Sequence, residues 1–445
     1  MNPVDRILTP GSMPKRYTNW QVSLIVFLIA LSAVIRLADL YRPAARSVDE
    51  AMYTWQARVV CELGLFKGGR TIAHAYLSRP NLSLFPAPTR IGYIIAIALV
   101  MKLTGDEEIS VGAWISAIAS ILSIVLVVLI GLEFFEKWAV VVAIALLTVF
   151  PLDLIVASHA WADSLVGFLC LSIFYITMKI AAGSARSAAW YIGMAMLSAI
   201  AIAVKESCLL ICAPCLVVCL GVVTFRDRSK RLSWILIGAT ALAAIGDAAL
   251  WYSSTGRDTI ELMLQEARAG AHNAYIVKFS TGPAWILPAA LWSFAPATFG
   301  LAVIGLLYTL LPIHVAGPDR SGAAQRALAG ATLGVTALFA FLPYGLNLRY
   351  MTPTFGPFCL FAGTGLLQLF QVLRRRMGRK PAQLFGALSG AILLVSLLSN
   401  YQQFVTFNRL GCVDLTARDM MHPATEWKSC THRLVDQGDD STQRR

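Results

Sequence analysis

Apolar residues run in long blocks along this chain, each closed by a short polar connection. Eleven blocks cover 20–40, 110–131, 138–154, 163–180, 188–204, 207–225, 232–252, 284–311, 327–343, 351–371 and 383–403. About 17–25 helical residues cross a hydrocarbon layer of ~30 Å, so each block is long enough to span a membrane. In lipid the backbone must satisfy its own polar groups, which makes the blocks helices. A twelfth block, "TRIGYIIAIALVMKLTG" at 89–105, carries Arg90 near its front and Lys102 near its back. The pattern predicts an all-α polytopic membrane protein with about eleven transmembrane helices.

Charge decides what the twelfth block does. The N-terminus carries Arg6, Lys15 and Arg16, which places it in the cytoplasm. If 89–105 does not cross, the basic loops "KIAAGSAR" (179–186), "RDRSKR" (226–231) and "RRRMGRK" (374–380) all fall on the cytoplasmic side. If it crosses, all three become external, against the positive-inside rule. The block is therefore expected to be re-entrant or interfacial, lying against protein. Residues 41–109 become one large outer loop, and 152–163, the Lys205-Glu206 turn, 253–283, 344–350 and the tail 404–445 share its side. The chain divides into a module at 1–255, a second at 256–403 and the polar tail at 404–445.

Composition agrees with this reading. Of 445 residues, 57% are hydrophobic and 14% charged, and the mean hydropathy is +0.66. The net charge of +12 gathers in the short connections, as membrane orientation requires, and does not point to nucleic acid. The first apolar block lacks a small-residue cleavage site and reads as a retained helix. Cys208, Cys212, Cys215 and Cys219 form a stripe at helical spacing, which reads as a packed face because the stretch offers almost no polar groups to support a metal. Cys412 and Cys430 lie in the polar tail. In an oxidising compartment they would pair, closing a loop of about 19 residues worth about 3 kcal/mol.

The candidate chemistry lies on the outer side. "RSVDEAMYTW" (46–55) begins with a capping box, Ser47 to Glu50, and opens an amphipathic helix over 48–63. Met52, Trp55, Val59, Val60 and Leu63 line its apolar face, and Glu50, Thr54 and Arg58 the other, which suits a helix in the membrane interface. Capping accounts for Glu50. Asp49, on the first turn at the membrane boundary, can face a cavity instead. Asp163 in "ASHAWADSLVGF" follows His159. Lys205 interrupts the apolar "AIAIAVKESCLLI", and Arg349 sits beside Tyr350 in "YGLNLRYMTPTFGPF". Two acids and two bases thus come from four separate outer connections. An acid there can take a proton from an attacking hydroxyl, and the cations can hold a phosphate leaving group. One acid pair could also bind a divalent ion through oxygen ligands, and no metal or other cofactor is assigned.

These blocks resemble the C-type polytopic glycosyltransferases that use polyprenyl-phosphate sugars. The likeness is to the dolichyl-phosphate-mannose protein mannosyltransferase family and its bacterial relatives that modify lipid A. It rests on "RLADL…DEAMYTWQARVVCELG", "FPAPTRIGYIIAIALVMKLTG", "FPLDLIVASHAWADSLVGFL" and "AVKES", with a weaker match at "LRYMTPTFGPF". The resemblance implies Asp49 as catalytic base or acceptor contact with Glu50 beside it, and Asp163 as the second acid. It implies Lys205 and Arg349 on the lipid phosphate, with Tyr350 and Arg90 nearby and His159 and Arg79 as donor or acceptor contacts. It further implies a polyprenyl-phosphate sugar donor, a lipid, glycan or protein acceptor, and transfer with inversion at the periplasmic face of the inner membrane. Relatives that transfer aminoarabinose carry Lys-Pro-Pro in the first loop, where this chain reads "SRPNLSLFPAPTR". The large lumenal domain of the protein mannosyltransferases is not visible.

A lipid or solute transporter would also be polytopic with buried charges. It would more often show internal repeats and broken helices at the midplane, with charges strung along the path. No repeat is apparent here, and a purely structural subunit has no need of the one-sided charged set. The topology is directly testable: with Arg228→Cys in the 226–231 loop, an impermeant thiol reagent should label the residue only from the cytoplasmic side, and labelling from the outer face would overturn the assignment.

Overall fold

A computed structural model describes residues 18–38, 46–78, 88–185, 187–226, 229–256, 261–262, 282–311, 320–342, 346–412 and 415–420. Arg79 and Cys430 lie outside these residues. The described residues are mainly helical, with one isolated antiparallel bridge between Asn347 and Thr416. The helices are α1 (Asn19–Ala38), α2 (Val48–Leu63), α3 (Leu65–Ser78), α4 (Ile91–Thr104), α5 (Ser110–Phe134) and α6 (Lys137–Thr148). They continue with α7 (Pro151–Ser158), α8 (Asp163–Ala181), α9 (Ala188–Val204), α10 (Leu209–Gly221) and α11 (Lys230–Thr255). The rest are α12 (Ile286–Phe294), α13 (Pro296–Leu310), α14 (Arg320–Phe341), α15 (Thr352–Met377), α16 (Arg379–Arg409) and the short α17 (Ala417–Met420).

Eight helices are long and apolar enough to cross a membrane, and two bent pairs bring the number to ten. The remaining expected span, 188–204, is the shorter apolar helix α9. The two bent pairs correct the straight spans expected at 138–154 and 284–311. Helices α6 and α7 meet at 51°, and α12 and α13 at 120°. Each second helix opens with proline at its start, Pro151 and Pro296. Proline has no N–H to continue the preceding helix but is well suited to begin a new one. At the first break the carbonyls of Leu147 and Thr148 accept from Arg36, at 3.1 and 3.2 Å, and that of Leu147 also accepts from Phe150 N–H at 3.3 Å. The same guanidinium donates to Asp153 on the first turn of α7 and to Ser120 of α5, and Ser120 donates to Asp153 at 2.7 Å. Arg36 therefore joins α1, α5, α6 and α7 while bonding backbone carbonyls at the break.

The first loop contains three helices that are not long spans. Helix α2 has the expected bounds, but its burial does not follow the expected faces: Met52, Trp55 and Val59 are only half-buried and Arg58 is exposed. Its buried residues are Glu50, Tyr53, Thr54, Gln56, Ala57 and Val60, while Leu63 of the expected apolar face is exposed. The polar side packs against protein because it carries groups with partners there. Helix α3 follows at once and was not foreseen, since "KGGR" puts two poor helix formers in its first turns. A side chain at Gly69 would meet the Ser254 carbonyl oxygen at 2.3 Å, so close packing on α11 accounts for the glycine. Helix α4 has 14 residues, a rise of about 21 Å, and is buried through Tyr93, Ile94, Ile97 and Met101. The four cysteines Cys208, Cys212, Cys215 and Cys219 are free and buried.

Helices α13 and α15 pack almost backbone to backbone. A Cβ at Gly305 would lie 2.0 Å from the Phe361 carbonyl oxygen, and one at Gly365 would lie 2.2 Å from that of Leu301. Gly305→Ala should therefore destabilise the protein by about 1–3 kcal/mol, the range for overpacking. Gly330→Ala on α14, where a Cβ meets open space, should be neutral or stabilising. Thermal unfolding of both variants in detergent compares the two.

Candidate active site

Five separate segments meet at one end of the helical bundle. They are the start of α2, the residues before α4, the α7–α8 connection, the turn after α9, and the one-turn helix Leu348–Met351 before α15. The last of these is held by the start of the tail. Leu348 N–H donates to the Leu415 carbonyl at 2.8 Å, and Ala417 N–H to that of Leu346 at 2.7 Å. Cys412, just before this clip, is disulfide-bonded.

The two adjacent acids of α2 point to different surroundings. Glu50 is fully buried. It closes the capping box on the Ser47 N–H at 2.7 Å and also accepts from Ala160 N–H at 2.7 Å and Arg46 at 3.0 Å. His159 Nδ1 lies 2.9 Å from Oε1, the oxygen that accepts from Ser47, while Ala160 and Arg46 donate to Oε2. Burial works against its charge, but His159, Arg46 and Ala160 outweigh burial and hold the carboxyl at about 2. Glu50 thereby fastens α2 to the α7–α8 connection. Asp49 keeps 28% of its side-chain surface exposed, and one of its oxygens, Oδ2, accepts from both terminal nitrogens of Arg349 at 3.2 Å. These partners are 300 residues apart in sequence.

Two further acid–base pairs stand beside this one. Lys205 Nζ donates to Asp163 Oδ1 at 2.6 Å, with both side chains buried. Its ammonium lies 4.1 Å from the centre of the Tyr350 ring. Burial pulls Lys205 below its ordinary value; Asp163 opposes this, and Arg90 and Arg349 act in the same direction as burial. Arg90 pairs with Glu206 at 3.4 Å and donates to the Tyr53 hydroxyl. That hydroxyl is pushed up by burial and also feels Arg90, Asp49 and Asp163. The backbone carbonyl of Asp163 accepts from Thr352 at 2.9 Å, which ties α8 to the start of α15.

The sequence-derived residues Asp49, Asp163, Arg90, Lys205, Arg349 and Tyr350 are thus brought together. Glu50 and His159 lie just behind them as buried supports. Tyr53, Trp161, Glu206 and Asn347 were missed. Of these, Trp161 sits two residues from Asp163 and Glu206 beside Lys205, so proximity to chosen residues was the available signal. Among the described residues no group of three or more His, Cys, Asp or Glu side chains is arranged to hold a metal ion. The three acids of the pairs each face a cation.

An apolar groove of about 860 Å³ lies along three of the helices that border the site. It passes between α4, α8, α9 and α11, with Gly92, Leu165, Ala203 and Val204 in its wall. These four stand one or two residues in sequence from Arg90, Asp163 and Lys205, so the groove wall and the charged cluster share the same helix ends. Asp247 also lines it.

Residues 88–251 match the family model of dolichyl-phosphate-mannose-protein mannosyltransferase. In structure the chain is similar to ArnT from Cupriavidus metallidurans bound to undecaprenyl phosphate, with a TM-score of 0.56 at 14% identity, over 95% of this chain and 81% of that one. The fold is that of the C-type polytopic glycosyltransferases. The archaeal oligosaccharyltransferase AglB from Archaeoglobus fulgidus, in complex with an inhibitory peptide and a dolichol-phosphate, shares this glycosyltransferase fold. It aligns at a TM-score of 0.51 and 14% identity over 88% of this chain. Arabinosyltransferase EmbB from Mycobacterium smegmatis aligns at 0.50 and 15% over 98%. The chain spans 56% of the length of AglB and 43% of EmbB. No curated protein matches it in sequence.

Glu50→Gln should lower stability by about 3 kcal/mol at neutral pH, because it removes one partner of a buried charged cluster. A carboxyl depressed from 4.5 to about 2 contributes fully above pH 4.5 and loses that contribution as the pH falls through about 2. The difference between wild type and variant in thermal unfolding should therefore narrow over that interval.

Proposed function

We propose that this chain is a membrane glycosyltransferase that moves a sugar from a polyprenyl-phosphate donor to an acceptor hydroxyl. The observation that carries this reading is the meeting of a partly exposed carboxylate and three cations at helix ends whose next residues wall an apolar groove. The groove suits an isoprenoid chain. A phosphate at those helix ends would lie among Lys205, Arg90 and Arg349, which can stabilise the charge that develops on it as it leaves. Arg offers a fork of donors to phosphate oxygens, and Lys a point charge.

On this reading Asp49 is the general base. Its second oxygen has no hydrogen-bond partner among the described residues and can take the proton from the acceptor hydroxyl. The acceptor oxygen then attacks the anomeric carbon, the bond to phosphate breaks, and the electron pair leaves with the phosphate. A single displacement of this kind inverts the anomeric centre, since retention would need a second carboxylate acting as nucleophile. Asp163 serves as the counter-ion that orients Lys205. Tyr350 provides the ring face beneath that ammonium. The reaction is assigned to the periplasmic face of the inner membrane, with the N-terminus in the cytoplasm. This rests on the basic loops and on the position of the cluster at the opposite ends of the same helices. A transporter is disfavoured because the charges gather at one end of the bundle instead of following a path through it.

The test is mass spectrometry of envelope lipids, glycans and proteins from a deletion strain. One sugar-modified species should disappear on deletion and return with the wild-type gene. Asp49→Asn keeps the shape and capping ability of the residue but cannot accept the proton. It should slow transfer by about 10²–10⁴ at normal expression. Full restoration by Asp49→Asn would remove Asp49 from the role of base.

A further inference from the structure

Trp161 lies between the support layer and the reactive layer of the site. Its indole is fully buried. Its Nε1–H donates to Ser47 Oγ at 2.8 Å, at the cap of the helix that carries Asp49. The His159 ring stacks on it with centroids 4.3 Å apart and planes 11° from parallel. The Arg349 guanidinium lies 4.5 Å from the indole ring centroid. His159 is itself held by Glu50. The contacts form a closed circuit: Glu50 to His159, His159 to Trp161, Trp161 to Arg349, and Arg349 to Asp49, which adjoins Glu50 in the chain.

We propose that Trp161 is the positioning residue of the site, setting where the Arg349 guanidinium lies relative to Asp49 and to an incoming phosphate. Arg349 needs such a guide. It comes from a one-turn helix, and its fixed polar partners there are few: Asn347 Oδ1 accepts from its backbone N–H at 3.2 Å and from its Nε at 3.4 Å. The remaining hydrogen bonds go to Asp49. A planar guanidinium on an aromatic face keeps its in-plane donors free for carboxylate or phosphate oxygens while its position is fixed by the ring. The indole can therefore hold Arg349 in place when the anion in front of it changes. Tryptophan suits this role better than a smaller ring because its Nε1–H also anchors it to the cap of α2.

The inference rests on the proposed phosphate-binding reading, and its test separates the two. Binding of undecaprenyl phosphate to the purified full chain is measured by native mass spectrometry. No binding by the wild type would overturn both readings. With wild-type binding present, Trp161→Leu should weaken it at least tenfold, and Trp161→Phe, which keeps an aromatic face, should stay within threefold. Both variants lose the bond to Ser47, so any loss of thermal stability from that bond appears in both. A purely structural tryptophan would make the two variants equal in affinity. Equal affinities, or an unweakened Trp161→Leu, would overturn the positioning role while leaving the phosphate site intact. Arg349→Lys gives an independent measure that does not need Trp161 variants to fold. It keeps the charge and loses the flat face, and should weaken binding about tenfold. Wild-type affinity in Arg349→Lys would also overturn the proposal.

Discussion

The site is governed by the cost of keeping ionised groups at the end of an apolar bundle. A buried ion without a partner carries a penalty of several kcal/mol, which good pairing offsets. Here the pairing joins distant parts of the chain. Asp49 of α2 meets Arg349 before α15, Asp163 of α8 meets Lys205 after α9, and Glu206 meets Arg90 before α4. Each pair is both an electrostatic requirement and a link between segments. Loss of one member would leave its partner exposed to the apolar surroundings, so the constellation also fixes how these helix ends sit together.

The same constraint explains why neighbouring acids differ. Successive residues of a helix are rotated by about 100°, so Asp49 and Glu50 cannot both face one cavity. Glu50 turns inward and is saturated by donors from Ser47, Arg46, His159 and Ala160. Asp49 turns toward the cations and keeps one oxygen open. The capping box was legible from the spacing of Ser47 and Glu50. The direction of the polar face was not, because interfacial amphipathicity assumes that polar groups seek water. On α2 they seek protein partners whose positions depend on the tertiary fold.

Elsewhere, legibility follows the range of the interaction. Span positions came from local hydropathy and held to within a few residues for most helices. The breaks at Pro151 and Pro296 were marked by the prolines themselves. A hydropathy window averages across a bend, however, and these two blocks read as straight. Helix α3 was hidden because two glycines argue against a helix until the close approach of α2 and α11 is known. Arg36 looked like a residue at the end of the first span. Its function as partner of Asp153 and of two carbonyls at the first break depends on contacts more than 100 residues away. The residues of the site were found because charges in apolar surroundings stand out. Their pairings were not, since nothing local in "LNLRYM" points to Asp49. The antiparallel clip of 346–348 by 415–417 is equally non-local, and it carries no unusual composition.

The pairing also bears on how the proposed chemistry would be ordered. With Asp49 bonded to Arg349, one carboxylate oxygen, Oδ2, is engaged by the guanidinium. On the proposed reading, the phosphate of an incoming donor, a singly charged diester, would compete with that carboxylate for the same guanidinium. As Arg349 turned part of its hydrogen bonding to that phosphate, Asp49 Oδ2 would lose donors and the carboxylate would be freer to meet the acceptor hydroxyl. The carboxylate would then be released from its cation as the leaving group comes into place. On the same reading the groove would bring the phosphate toward the cations with its lipid still in apolar surroundings. The arrangement needs the cations to keep their positions while their partners change. The circuit of Glu50, His159 and Trp161 behind Arg349, and Asp163 behind Lys205, supply fixed contacts that an exchange of anions need not disturb.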